Sequence, residues 1–142
     1  MLDTFGLLEA DYIETGKVRF VIHPYYLGNP AMGLATEAAL CAHDQGKFFE
    51  YEHLLYEKQG QIDYSPQSLV SLAGEVGLKQ DTFSQCLRDR KYQDYLENAR
   101  RAASNRGVKA TPTFFINNRR VEGNQPYEVF KSLIEQELKL AQ

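Results

Sequence analysis

Two cysteines, Cys41 and Cys86, and three histidines, His23, His43 and His53, are the side chains whose spacing bears first on thiol or metal chemistry. A cysteine reacts as its thiolate and is ionised by a helix N-terminus, a nearby cation or a second thiol. Cys41 sits in mid-helix among Ala38, Ala39, Leu40 and Ala42, and Cys86 shares a stripe with Phe83 and Leu87. Both read as buried, unreactive thiols. The histidines make no metal signature, because no His-x-x-x-His or Cys-x-x-Cys pair exists in the chain. His43 lies two residues from Cys41, a spacing that turns it to another side of the helix. Asp44 and Glu50 have no partner carboxylate at a working distance in sequence, and there is no Gly-x-Ser-x-Gly or phosphate-binding glycine loop. The residue types therefore imply no metal and no cofactor.

One stretch organises the rest: Val108-Lys109-Ala110-Thr111-Pro112-Thr113-Phe114-Phe115-Ile116-Asn117-Asn118-Arg119-Arg120-Val121-Glu122-Gly123. It reads as a loop, a strand, a tight turn and a returning strand. Thr113 to Ile116 is β-branched and aromatic, which suits a half-buried pleated surface. Asn117-Asn118 can supply the positive φ angles of a two-residue hairpin. Pro112 cannot donate to a ladder, so it stands before the strand or at an edge.

The 142 residues, 43% hydrophobic and 25% charged, fit one globular domain with a real core. A net charge of −3 gives no global field for nucleic acid. The basic run Arg100, Arg101, Arg106 and Lys109 reads as a solvated helix face with cations near a helix C-terminus. No apolar run approaches the roughly 20 residues of a membrane span. Met1-Leu2-Asp3 opens directly into an amphipathic segment, so no signal peptide is expected within the chain.

Residues 4–14 read as a helix with Phe5, Leu8 and Tyr12 on one stripe, stopped by Thr15-Gly16. Lys17 to Ile22 reads as a strand ended by His23-Pro24. Helices then follow over Pro30–Gln45, Phe48–Lys58, from Ser65-Pro66 to Gly77, over Asp81–Arg88 and over Tyr92–Arg106. In the last of these Tyr92, Tyr95, Leu96, Ala99, Ala102 and Ala103 are expected to face inward. After the hairpin, Pro126 opens a final helix with Val129, Phe130, Leu133, Ile134 and Leu138 as its core face.

The order helix, strand, helical block, hairpin, helix, with Ala110-Thr111-Pro112-Thr113-Phe114-Phe115-Ile116-Asn117 and Arg120-Val121-Glu122-Gly123, resembles the DsbA-like thiol–disulfide oxidoreductases. Asp11 to Val21, Ala39-Leu40-Cys41-Ala42 with Gln45-Gly46-Lys47-Phe48-Phe49, and Phe83 to Leu87 carry the resemblance over nearly the whole chain. It implies an α/β, incomplete thioredoxin-like fold with an α-helical insertion. Residues 1–29 and 108–142 would form the thioredoxin-like part and 30–107 the insertion, in one domain over 1–142. By the same resemblance Thr111-Pro112 is cis and holds the substrate, with the Thr111 backbone pairing to an extended substrate strand. A structural disulfide between Cys41 and Cys86 is implied too, since some relatives tie their helical insert this way; the alternative is two free core thiols. Over so long a loop such a bridge stabilises by about 4 kcal/mol on the chain-entropy model.

The family's first strand and its Cys-x-x-Cys are not in this sequence. The resemblance therefore implies dithiol exchange on protein or peptide substrates, in an extracytoplasmic compartment, by a chain that is inactive alone. A kappa-type glutathione transferase or related isomerase, and a non-catalytic binding or assembly module, are the alternatives. Without a central strand the sheet would expose two edges, at Val18–Ile22 and Thr113–Ile116, and each desolvated unpaired group costs about 1–3 kcal/mol. Self-association, most simply a homodimer, is the expected repair.

Overall fold

The computed structural model describes residues 2–142, with side-chain surroundings from Thr4 onward. Met1 and the side chains of Leu2 and Asp3, part of the opening read as free of a signal peptide, lie outside the described residues. The chain is α/β, mostly helical, with one two-stranded sheet. Its contacts divide it into two compact units, 1–23 with 107–142, and 24–106.

In the first unit, α1 (Leu2–Leu8) runs on into a wider turn over Glu9–Ile13, closed by the Glu14 N–H donating to the Glu9 carbonyl at 2.9 Å. β1 (Thr113–Ile116) pairs antiparallel with β2 (Arg119–Glu122), with Phe114 opposite Val121 and Ile116 opposite Arg119. Asn117 makes the turn possible by taking a left-handed φ of 52°, which asparagine tolerates. α7 (Tyr127–Leu140) packs on the hairpin: the Phe114 and Phe130 rings meet edge-to-face at 4.9 Å. Tyr12, Val121, Phe130 and Ile134 are the buried centre of this unit.

The strand expected over Lys17–Ile22 does not form. A strand exists only where a neighbour completes its ladder, and the sheet here contains only β1 and β2. The Val18 N–H instead turns back onto the Tyr12 carbonyl at 2.9 Å. Phe20, Val21 and Ile22 are left exposed, with Phe20 resting against Phe5 at 5.0 Å between ring centroids.

The second unit is built on α2 (Pro30–His43), whose Asn29 cap accepts from the Ala31 N–H at 3.0 Å. Its alanines 35, 38, 39 and 42 are buried and let neighbouring helices come close. Against it pack α3 (Phe48–Glu57), α4 (Pro66–Glu75) and α5 (Gln80–Arg88), and α6 (Gln93–Asn105) closes the unit. Ser65 caps α4 by accepting from the Ser68 N–H. Tyr51 is wholly buried, stacks near Phe83 and donates its hydroxyl to the Leu69 carbonyl at 2.8 Å. Gln45 reaches the α4–α5 link twice, accepting from Lys79 N–H and donating to its carbonyl. Three side chains expected in the core are exposed: Tyr95, Ala102 and Val129. Each lies at the margin of its helix's apolar stripe, and the stripe that is buried is narrower than the apolar pattern.

Candidate functional site

The loop ahead of β1 is fixed on both sides of one free residue. Gly107 opens it at φ 76°, and a Cβ there would stand 3.1 Å from the Arg120 guanidinium. The Thr113 hydroxyl donates to the Ala110 carbonyl at 2.7 Å, spanning the loop. The Gly123 N–H donates to the Pro112 carbonyl at 2.8 Å, tying the loop to the end of β2. The Thr111–Pro112 peptide bond is cis. Between these anchors Thr111 is exposed, and among the described residues no hydrogen bond engages its backbone. A backbone N–H and carbonyl of an exposed residue, held in place on a hairpin and left without partners, can pair with an extended chain by strand addition. The hairpin itself is braced by Glu137, which accepts from Arg119 Nε at 2.6 Å and from Asn117 Nδ2 at 2.9 Å. Those two bonds hold its carboxyl below the ordinary carboxylate range.

Cys41 and Cys86 are bonded, with Cα atoms 6.0 Å apart, and clamp α2 to α5. Cys41 is buried at 2% exposure, but Cys86, read from the sequence as buried, is only half-buried. It stands near the surface because α5 ends two residues later and turns at Asp89–Arg90. Asp44, just past the end of α2, places Oδ2 4.0 Å from the Cys86 sulfur. Lys91 Nζ donates to that oxygen at 2.7 Å, and the Tyr92 hydroxyl donates to Oδ1. Burial works against ionisation of Asp44, but the bonds from Lys91 and Tyr92 outweigh it and keep the carboxyl below its usual range.

A second polar cluster lies in the same helical unit. Glu37 is 2% exposed among the alanines of α2 and accepts a forked pair from Arg90, at 3.0 Å from Nε and 2.6 Å from Nη2. Arg90 sits at φ 49°, just past α5, in a place that favours glycine. Tyr26 donates to Glu97 at 2.5 Å, which raises the phenol's pKa, and Arg100 holds the other Glu97 oxygen at 3.1 Å. Tyr26, Glu37, Arg90 and Glu97 line a cavity of about 470 Å³.

Thus the sequence-read pairs Thr111 with Pro112 and Cys41 with Cys86 are each together, and each lies within one unit. The histidines do not converge: His53 meets Glu57 at 3.2 Å on α3, and His43 lies edge-on to Phe48. Among the described residues no group of three or more His, Cys, Asp or Glu side chains could hold a metal ion. The reading missed Glu37, Arg90 and the Asp44–Lys91–Tyr92 group. The one available signal was an acid inside an alanine stripe, one helical turn before Cys41.

Known proteins agree with this arrangement. A thioredoxin family model matches residues 2–136. A Na(+)/H(+) antiporter NhaA 1 of Salinispora arenicola is 34% identical over 113 residues, 80% of this chain but 16% of the antiporter. Disulfide bond formation protein D of Bacillus subtilis is 26% identical over 144 residues, 96% of this chain and 64% of that protein. The crystal structure of oxidised BdbD from Bacillus subtilis superposes with a TM-score of 0.76 at 25% identity, covering 96% of this chain and 77% of that one. The chain thus spans less than two thirds of these curated relatives. Because the match takes in the first helix, the helical unit and the hairpin together, the chain belongs to the thioredoxin family, with the α/β fold of the disulfide-forming relatives.

Proposed function

We propose that this chain holds an extended polypeptide for disulfide exchange, as the substrate-positioning part of a DsbA-like thiol–disulfide oxidoreductase domain. The carrying observation is Thr111, an exposed residue fixed from both sides whose backbone makes no hydrogen bond among the described residues. Thr111 and Pro112 are the substrate-binding residues on this reading. Residues 1–29 and 108–142 act as the thioredoxin-like part, and 30–107 as its helical insertion. The name of the Bacillus relative, a disulfide bond formation protein, points to the same chemistry. Exchange needs an attacking thiolate, and the two cysteines of these residues are bonded to each other. The chain by itself therefore supplies position and no nucleophile.

A formed disulfide favours an oxidising, extracytoplasmic setting. Among the described residues no helix is long and apolar enough to cross a membrane. Self-association as a homodimer is part of the proposal: each strand of the two-stranded sheet keeps an edge without a ladder partner, and Phe20, Val21 and Ile22 are exposed in the same unit. The bonded state of both cysteines also favours a second reading, a peptide-binding module that performs no exchange at all.

Two assays test the function. Purified chain is expected to leave the rate of insulin reduction by dithiothreitol unchanged, yet to bind S-carboxymethylated insulin B chain. Turnover that survives serine at both cysteines would remove the thiol argument. Failure to bind the unfolded chain would remove the substrate-holding role.

A further inference from the structure

We propose that Cys86 is the entry sulfur of the Cys41–Cys86 bridge, the atom at which a small-molecule thiolate forms a mixed disulfide, and that Asp44 sets the rate of that attack. Two effects oppose each other in choosing the sulfur. Leaving-group chemistry favours attack on Cys41, which would expel the half-buried Cys86 thiolate in place of the buried Cys41 one, although Asp44 at 4.0 Å offsets part of that preference. Access favours attack on Cys86. Cys41 is 2% exposed in the core of the helical unit, whereas Cys86 opens on a cavity of about 320 Å³ lined by Asp44, Thr82, Gln85, Asp89 and Lys91. Exchange requires the incoming sulfur to reach its target, so access decides.

The thiolate bonds to the Cys86 sulfur, the Cys41–Cys86 bond breaks, and its electron pair leaves on Cys41, which takes a proton from water. A second thiolate attacks the sulfur of the added group, forms the oxidised reductant and frees Cys86 as a thiolate. Burial disfavours the Cys41 thiolate. That slows its departure, and equally slows its return to reclose the bridge, so the adduct on Cys86 persists long enough to trap.

Asp44 Oδ2 is 4.0 Å from the Cys86 sulfur, and a disulfide sulfur carries no proton to share with it. Its charge therefore meets the incoming anion directly. Lys91 offsets part of that charge at 2.7 Å. Asp89, which also lines the opening, adds to the repulsion. Replacing Asp44 by asparagine removes the nearest anion and leaves Lys91 to attract the thiolate.

The test uses the native oxidised chain and reduced glutathione at mildly alkaline pH, quenched with iodoacetamide and mapped by peptide mass. Glutathione is expected on Cys86 and the alkyl label on Cys41. Glutathione on Cys41, an equal division between the two, or no adduct before denaturant is added would overturn the assignment. In Asp44→Asn the thiolate rate is expected to rise about fivefold, the scale of one like charge at this distance in water. The rate with a neutral phosphine, tris(hydroxypropyl)phosphine, is expected to stay the same. An equal rise with both reagents, or none with the thiolate, would overturn the role given to Asp44.

Discussion

Glu37 and Arg90 form a forked ion pair at the buried face of α2 in the helical unit. The carboxylate is 2% exposed and its two oxygens are both held by one guanidinium. A buried charge that loses its partner is far costlier than the intact pair is valuable. Arg90→Met is therefore expected to lower stability by about 2–3 kcal/mol, less than a fully buried pair because the arginine is half-exposed. Glu37→Leu with Arg90→Met should recover most of that loss, which urea unfolding measures directly. Asp63 gives a pH signature. Its carboxylate accepts from the Ser65 N–H at 3.0 Å and the Ser68 hydroxyl at 2.7 Å, which lowers its pKa from 3.8 to about 2. A group lowered on folding stabilises above its unfolded pKa and loses that contribution as pH falls through the folded one. Between about pH 4 and pH 2 the native chain should lose a stability increment that Asp63→Asn lacks, as read by unfolding at each pH.

At the scale of elements, the disulfide joins α2 to α5 across a sequence separation of 45. Serine at both cysteines is expected to cost about 4 kcal/mol by the chain-entropy model, measured by urea unfolding as a lower midpoint together with a steeper slope, because the unfolded chain without the bridge exposes more surface. The helices were legible because their signals are local: asparagine or serine before a proline starts α2 and α4, and Gly46, Gly77 and Gly107 take positive φ just past the ends of α2, α4 and α6. The hairpin was legible for the same reason, through Asn117 and the β-branched and aromatic run before it. Lys17–Ile22 was misread because its composition suits a strand while strand formation depends on a partner that composition does not contain. Glu37 was missed because the residue that makes its burial possible, Arg90, is 53 positions away. The half-exposure of Cys86 was missed because it depends on where α5 stops, not on the stripe it shares with Phe83 and Leu87.

For the whole molecule, the open sheet edges and the exposed Phe20–Ile22 segment predict a homodimer at micromolar concentration in sedimentation. Charged substitutions Val21→Lys and Ile22→Lys should shift it to monomer. A stable native monomer would remove that part of the account. Pairing of the Thr111 backbone with an extended polypeptide can be followed at that amide itself. The amide resonances of the chain are followed while S-carboxymethylated insulin B chain is added. A saturable shift is expected at the Thr111 amide, with slowed hydrogen exchange there. Saturation of other amides while Thr111 stays unmoved and freely exchanging would contradict it.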